Sequence, residues 1–235
     1  MRFVLTLLAV CSLGALSHLH AAPPTPAQVP DTLEQRLLAC AACHGKQGEG
    51  MRSEFYPRLA GKPAGYLYNQ LLNFRERRRR FDVMNYMVSY LSDAYLHEIA
   101  EYYANLHPPY PPPVPAASAE ALARGEMLVI KGDAGRNIPP CNACHGEALT
   151  GLAPAIPGLI GLSPGYVGKQ MGAWRVRERK AEQPDCMAQI AALLDPGDIS
   201  AIVAYLAAQR PPAGAPPTLN PSTKLPLECG SVTQK

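Results

Sequence analysis

Apolar positions along this chain recur at helical spacing, in blocks that appear once in each half. In the first half, Leu33, Leu37, Leu38 and Ala41 follow a cap signal at Asp31 or Thr32, and they predict a helix leading into Cys40-Ala41-Ala42-Cys43-His44. A loop with Gly45, Gly48 and Gly50 comes next, as expected where backbone must pass close to a flat group. Pro63 opens a second helix carrying Tyr66, Leu67, Gln70, Leu71 and Phe74. Ser92 caps a third, with Leu96, Ile99, Tyr102, Tyr103 and Leu106 on adjoining faces, and Pro108 ends it.

The second half repeats the first. An offset of 100 pairs Pro57 with Pro157, Leu59 with Leu159, Gly61 with Gly161, Tyr66 with Tyr166, Gln70 with Gln170, Arg75 with Arg175 and Arg79 with Arg179. The last helix pairs at an offset of 103, Ile99 with Ile202 and Tyr102 with Tyr205. Between the halves, residues 108–117 are too proline-rich for either pattern and read as a semi-rigid linker. The pattern predicts an all-α chain of two like domains, 23–107 and 118–209, followed by a proline-rich tail, 210–235.

The two domains share one chemical motif. Cys40-Ala41-Ala42-Cys43-His44 and Cys141-Asn142-Ala143-Cys144-His145 each place two thiols three positions apart with a histidine directly after the second. That arrangement lets both cysteines add to the vinyl groups of one haem while the histidine ligates its iron. A zinc ribbon brings its second Cys pair within about 15–20 residues, whereas these pairs are 101 positions apart. A thioredoxin-type dithiol expects a βαβ pattern, and none surrounds either motif. The reading is therefore two covalent haem c groups. Domains this small bury little apolar surface unaided, and a haem at the centre of each supplies much of the missing core.

Met1-Arg2, the apolar run Phe3 to Leu16 and the small residues Ala21-Ala22 have the three parts of a secretory signal peptide, 1–22. The 14-residue run is short of a membrane span. Cys11 lies inside it after Val10, a poor context for lipidation. Export to the periplasm is the expectation. Residues 23–112 carry ten basic and nine acidic side chains and residues 113–235 eleven and ten, so neither half is a basic nucleic-acid module.

The sixth iron ligand decides between electron transfer and chemistry at an open iron. Met84 lies seven residues before Leu91, and Met187 lies seven before Leu194, the same place in the repeat; both are read as sitting in loops that lead into the closing helix. Met51 and Met87 have no methionine counterpart. Met84 and Met187 are thus the expected axial thioethers, and His/Met ligation suits electron carriage. His97 and His107 lack counterparts and read as surface residues. The run Arg75 to Arg80 reads either as a structural cluster, such as one pairing haem propionates, or as a docking patch, and Trp174, in place of Phe74, as core.

These motifs, with Pro57-Arg58-Leu59-Ala60-Gly61 and Leu91-Ser92-Asp93, resemble the di-haem cytochrome c4 family, two class I cytochrome c domains in tandem, over nearly all of residues 31–209. The resemblance implies a periplasmic carrier delivering single electrons to a terminal oxidase, with haems facing each other across a domain interface. It also implies that the Pro57 and Pro157 carbonyls accept hydrogen bonds from Nδ1 of His44 and His145, fixing the imidazoles. The chain departs from the family in its longer linker and tail and in Cys186 and Cys229. In an oxidising compartment two spare thiols suit a disulfide; the alternatives are Cys186 as an axial thiolate, or two separate thiols. The expected partners are redox proteins, namely an oxidase, a cytochrome bc complex or a dehydrogenase, and membrane association would come only through them. The chain is expected not to be an enzyme. The other readings are a cytochrome subunit of a flavocytochrome sulfide or alcohol dehydrogenase, and a di-haem peroxidase or thiosulfate dehydrogenase.

Overall fold

The computed structural model of the chain describes residues 30–114, 118–210, 218–219 and 224–232. The leader expected at 1–22 lies outside them, as do residues 115–117 of the linker and much of the tail. No single helix among the described residues is long and apolar enough to cross a membrane.

In the first half, the Thr32 hydroxyl accepts from the Gln35 N–H and starts α1 (Leu33–Arg36). The helix breaks at Leu37 and resumes as α2 (Leu38–His44), so the single helix expected there is two. The break turns Leu37 into the core at 3% exposure and leaves Leu38 outside at 57%. Then come α3 (Ala64–Arg75), α4 (Asp82–Val88) and α5 (Asp93–Ala104), the last begun by the Ser92 hydroxyl accepting from the Tyr95 N–H. Their apolar faces meet in a core of Leu37, Leu67, Phe74, Val88, Leu96, Ile99, Ala100 and Tyr103.

The second half repeats this layout with α6 (Ala119–Glu126), α7 (Asn142–His145), α8 (Pro164–Arg175), α9 (Cys186–Leu193) and α10 (Pro196–Ala208). Leu128, Val129, Ile138, Leu149, Ile160, Met171, Leu194, Ile202 and Leu206 are at its centre. Repeat partners make repeat contacts: the Arg75 guanidinium donates to the Leu91 carbonyl, and Arg175 to that of Leu194. Arg77 and Arg177 both take positive φ, 58° and 60°, just past the ends of α3 and α8.

One element departs from the helical expectation. β1 (Gly151–Ala153), β2 (Ile156–Pro157) and β3 (Thr218–Leu219) form a small sheet in the order β2-β1-β3. β1 runs antiparallel to β2 and parallel to β3, with Leu152 opposite both Ile156 and Thr218. The third strand belongs to the tail, which is thereby joined to the second domain.

Helices α6 and α10 cross closely at Gly125, where a Cβ would fall on the Ala201 carbonyl and within 2.6 Å of the Tyr205 Cβ. Gly125→Ala is therefore expected to cost about 1–3 kcal/mol despite its better helix propensity. Thermal unfolding followed in the second domain checks this; an unchanged or raised melting temperature would show that the crossing has room to relax.

Candidate haem sites

Each Cys-x-x-Cys-His motif closes a short helix, α2 or α7, and each is followed by a glycine at φ 84°, Gly45 and Gly146. The chain thus leaves both histidines along the same path. His44 Nδ1 donates to the Pro57 carbonyl at 3.0 Å and His145 Nδ1 to the Pro157 carbonyl at 2.7 Å. A carbonyl can only accept, so Nδ1 carries the proton and Nε2 keeps its lone pair for a metal. Both rings are 7% exposed, and burial pushes their pKa below the ordinary histidine value. They are therefore neutral and ready to ligate at neutral pH. No disulfide takes up the four motif cysteines, and burial raises the Cys141 thiol pKa to about 11.

Met84 and Met187 lie on helices α4 and α9, where loops were expected. Both helices are short, and their starts carry the signal: the Asp185 carboxylate accepts from the Ala188 N–H at α9, and Asp82 sits in the first turn of α4. Both methionines line one cavity of 980 Å³ that runs through the two halves. Cys40, Cys43, His44, Cys144 and His145 line it too. Met87, one turn along α4 from Met84, also faces this cavity, so the repeat rather than the cavity singles out Met84. Met51 is 44% exposed. His97 is exposed and stacks on Tyr68 at 3.6 Å, and His107 is exposed as well.

The cavity's lining fits haem. Three of the four motif thiols, both imidazoles, both thioethers and apolar walls including Leu67, Phe74, Ile99, Val167, Met171 and Ile190 line the cavity, and Cys141 packs against the second core. A haem also brings carboxylates, and the cavity holds donors for them. The Trp174 Nε1–H is buried without a partner, and Arg79 and Arg179, 8% and 5% exposed, pair with no carboxylate among the described residues.

Those arginines form the junction between the domains, and the junction is nearly two-fold symmetric. Arg79 donates to Gln70 and across to Gln170, both at 2.9 Å; Arg179 donates to Gln170 at 2.7 Å and across to Gln70 at 3.0 Å. Arg79 also reaches the Tyr166 hydroxyl, and Arg179 that of Tyr66. Each guanidinium lies over an aromatic ring, Phe74 at 4.3 Å and Trp174 at 3.7 Å. The run Arg75 to Arg80 therefore divides: Arg75 and Arg79 are structural, while Arg77 and Arg80 are exposed.

Among the contacts that break the junction's symmetry, two bear on the haem sites. Lys62 of the first half donates to the Gly158 carbonyl of the second at 2.6 Å. The tail crosses the boundary the other way: Cys229 is disulfide-bonded to Cys186, and Asn69 on α3 donates to the Ser231 carbonyl at 2.8 Å. With its sulfur in that bond, Cys186 is no free thiolate for iron, although it adjoins Met187. Lys62 and the Asn69–Ser231 contact carried no sequence signal, since neither has a repeat counterpart, whereas the two spare cysteines did point to the disulfide.

A cytochrome c family model matches residues 35–106. The chain is 38% identical to the thiosulfate dehydrogenase electron acceptor of Thiomonas intermedia, covering 86% of this chain and 90% of that protein. It is 32% identical to cytochrome c4 of Pseudomonas aeruginosa, over 83% of this chain and 93% of the relative. Among solved structures, the as-isolated thiosulfate dehydrogenase (TsdBA) from Marichromatium purpuratum superposes with a TM-score of 0.66 at 31% identity. That match covers 74% of this chain and 37% of the larger one.

Proposed function

The chain belongs to the cytochrome c4 family of di-haem electron carriers, with two covalent haem c groups as cofactors, and we propose that it is the periplasmic electron acceptor of a thiosulfate dehydrogenase. The carrying observation is that a buried histidine and a methionine at the same repeat position from each half line one continuous cavity. With these sulfur and nitrogen donors on each iron, no position would remain open for a substrate, which supports reading the chain as an electron carrier. The likeness to an acceptor of that name over both domains supports the choice of donor.

When bound, the haems supply reversible one-electron exchange at iron. The residues supply the rest. Cys40, Cys43, Cys141 and Cys144 would hold the macrocycles covalently, and His44, His145, Met84 and Met187 would supply the nitrogen and sulfur donors to iron. The Pro57 and Pro157 carbonyls hold each imidazole in one orientation. Leu67, Phe74, Ile99, Met171 and Ile190 exclude water, which keeps the reorganisation on electron transfer small. The Arg79, Arg179, Gln70 and Gln170 cluster holds the two pockets against each other.

The test is stopped-flow mixing of the oxidised protein with thiosulfate and a thiosulfate dehydrogenase. Both haems are expected to be reduced only when enzyme and thiosulfate are present together. Reduction by thiosulfate alone with release of tetrathionate would make this chain itself the dehydrogenase. Failure of the enzyme to reduce it would move the donor elsewhere.

A further inference from the structure

Lys62 is the unusual charge in this molecule. It is 4% exposed, and among the described residues its ammonium donates to one backbone carbonyl and no carboxylate acts on it. Burial, with Arg58 nearby, lowers its pKa to about 7. A lysine whose folded pKa lies below its unfolded value opposes folding; that cost is full below the folded pKa and fades as pH rises toward the unfolded one. Stability does not explain its presence.

Its placement does. The Gly158 carbonyl that accepts from Lys62 belongs to the residue after Pro157, whose own carbonyl holds His145 Nδ1. The ammonium of one domain is therefore two peptide carbonyls from the imidazole of the other, and it acts electrostatically on His145. The repeat provides no reciprocal charge from the second domain, because position 162 is Leu and position 158 is Gly; the cation that acts on His44 is Arg79 of its own domain. Gly158 is also required there, since a Cβ would fall on the Thr150 carbonyl oxygen. Arg58, the repeat partner of Gly158, faces the linker: it donates to the carbonyls of Ala60, Pro108 and Pro109 and lies over the Tyr110 ring. Of Arg58 and Lys62, it is Lys62 that hydrogen-bonds to the second domain.

We propose that Lys62 of the first domain is a positioning charge for the second domain's haem, raising that haem's reduction potential and so biasing the resident electron toward the second domain. A buried cation disfavours the ferric state, which carries one more positive charge than the ferrous, and the low dielectric of the junction keeps the effect from being screened. The bias exists only while the domains are docked, which couples the potential to the junction. The proposal rests on His145 as an iron ligand, and not on the identity of the electron donor.

The experiment uses the holoprotein at about pH 6, below the Lys62 value. Two low-spin His/Met haems in the wild type are recorded first, and their absence would overturn the ligand assignment rather than the role of Lys62. Each haem's potential is then followed by spectroelectrochemistry, with the haems assigned from their methionine methyl resonances. Lys62→Met and Lys62→Gln are expected to lower the second haem's potential, with a smaller shift at the first, and Lys62→Arg to restore most of it. Lys62→Gln retains a donor for the Gly158 carbonyl without the charge, so a wild-type potential in that variant would show the charge to be idle. Equal shifts at both haems in all variants would mean a general loosening of the junction, and would equally overturn the proposal.

Discussion

Replacing Met187 with Ala is expected to convert one of the two haems to an open or water-ligated state, and Met84→Ala to do the same to the other. Each variant should lose half of the near-infrared sulfur-to-iron band, and the affected haem's potential should fall by an amount on the order of tenths of a volt, the scale on which axial ligands set haem potentials. The unaffected haem should stay near its original value, because each thioether is held by its own short helix, α4 or α9, against its own domain core. Met51→Ala, at an exposed site, is the silent control. Met87→Ala is the discriminating variant, since Met87 faces the same cavity as Met84. Loss of the band in Met87→Ala and its retention in Met84→Ala would transfer the ligand role to Met87.

What the sequence made legible is what the repeat encodes twice. The motif cysteines and histidines and the pairs Arg75/Arg175 and Arg79/Arg179 each had a counterpart that separated pattern from coincidence, while the role of the proline carbonyls beneath the imidazoles came from the family resemblance. Their geometry is local or follows from one helix packing on another, and the structure places both members of each pair in matching contacts. The short helices carrying the methionines were read as loops because seven or eight residues give too few turns for a 3.6-residue period to stand out. The sheet of two- and three-residue strands was invisible for the same reason. The junction was hidden for a different one. That Gln70 and Gln170 accept from both arginines, or that Lys62 reaches Gly158, depends on how two domains dock, and no periodicity within a domain reports that.

The tail is the part of the chain without a repeat counterpart, and severing it should have the second large effect. The Cys186–Cys229 bond spans 43 residues, and the chain-entropy relation gives a loop of that size a stabilisation of about 4 kcal/mol. That is a large share of the roughly 5–15 kcal/mol that holds a typical domain folded. The bond also closes over chemistry: Leu227, Cys229, Ser231 and Val232 line the cavity, the Gly230 N–H donates to the Pro184 carbonyl, and Cys186 adjoins Met187 at the start of α9. Cys229→Ser is therefore expected to lower the melting temperature of the second domain while leaving the first near its original value. It should also weaken the second haem's sulfur-to-iron band and admit carbon monoxide to that haem alone in the reduced protein. A thiol reductant should bring wild-type protein to the same state and do nothing further to the variant. If Cys229→Ser melts as wild type and excludes carbon monoxide, then β3 pairing and the Asn69–Ser231 hydrogen bond suffice to hold the tail. Met187 would in that case be kept in place by the packing of α9 against the second domain's core, through Ile190 and Ala191, without help from the disulfide.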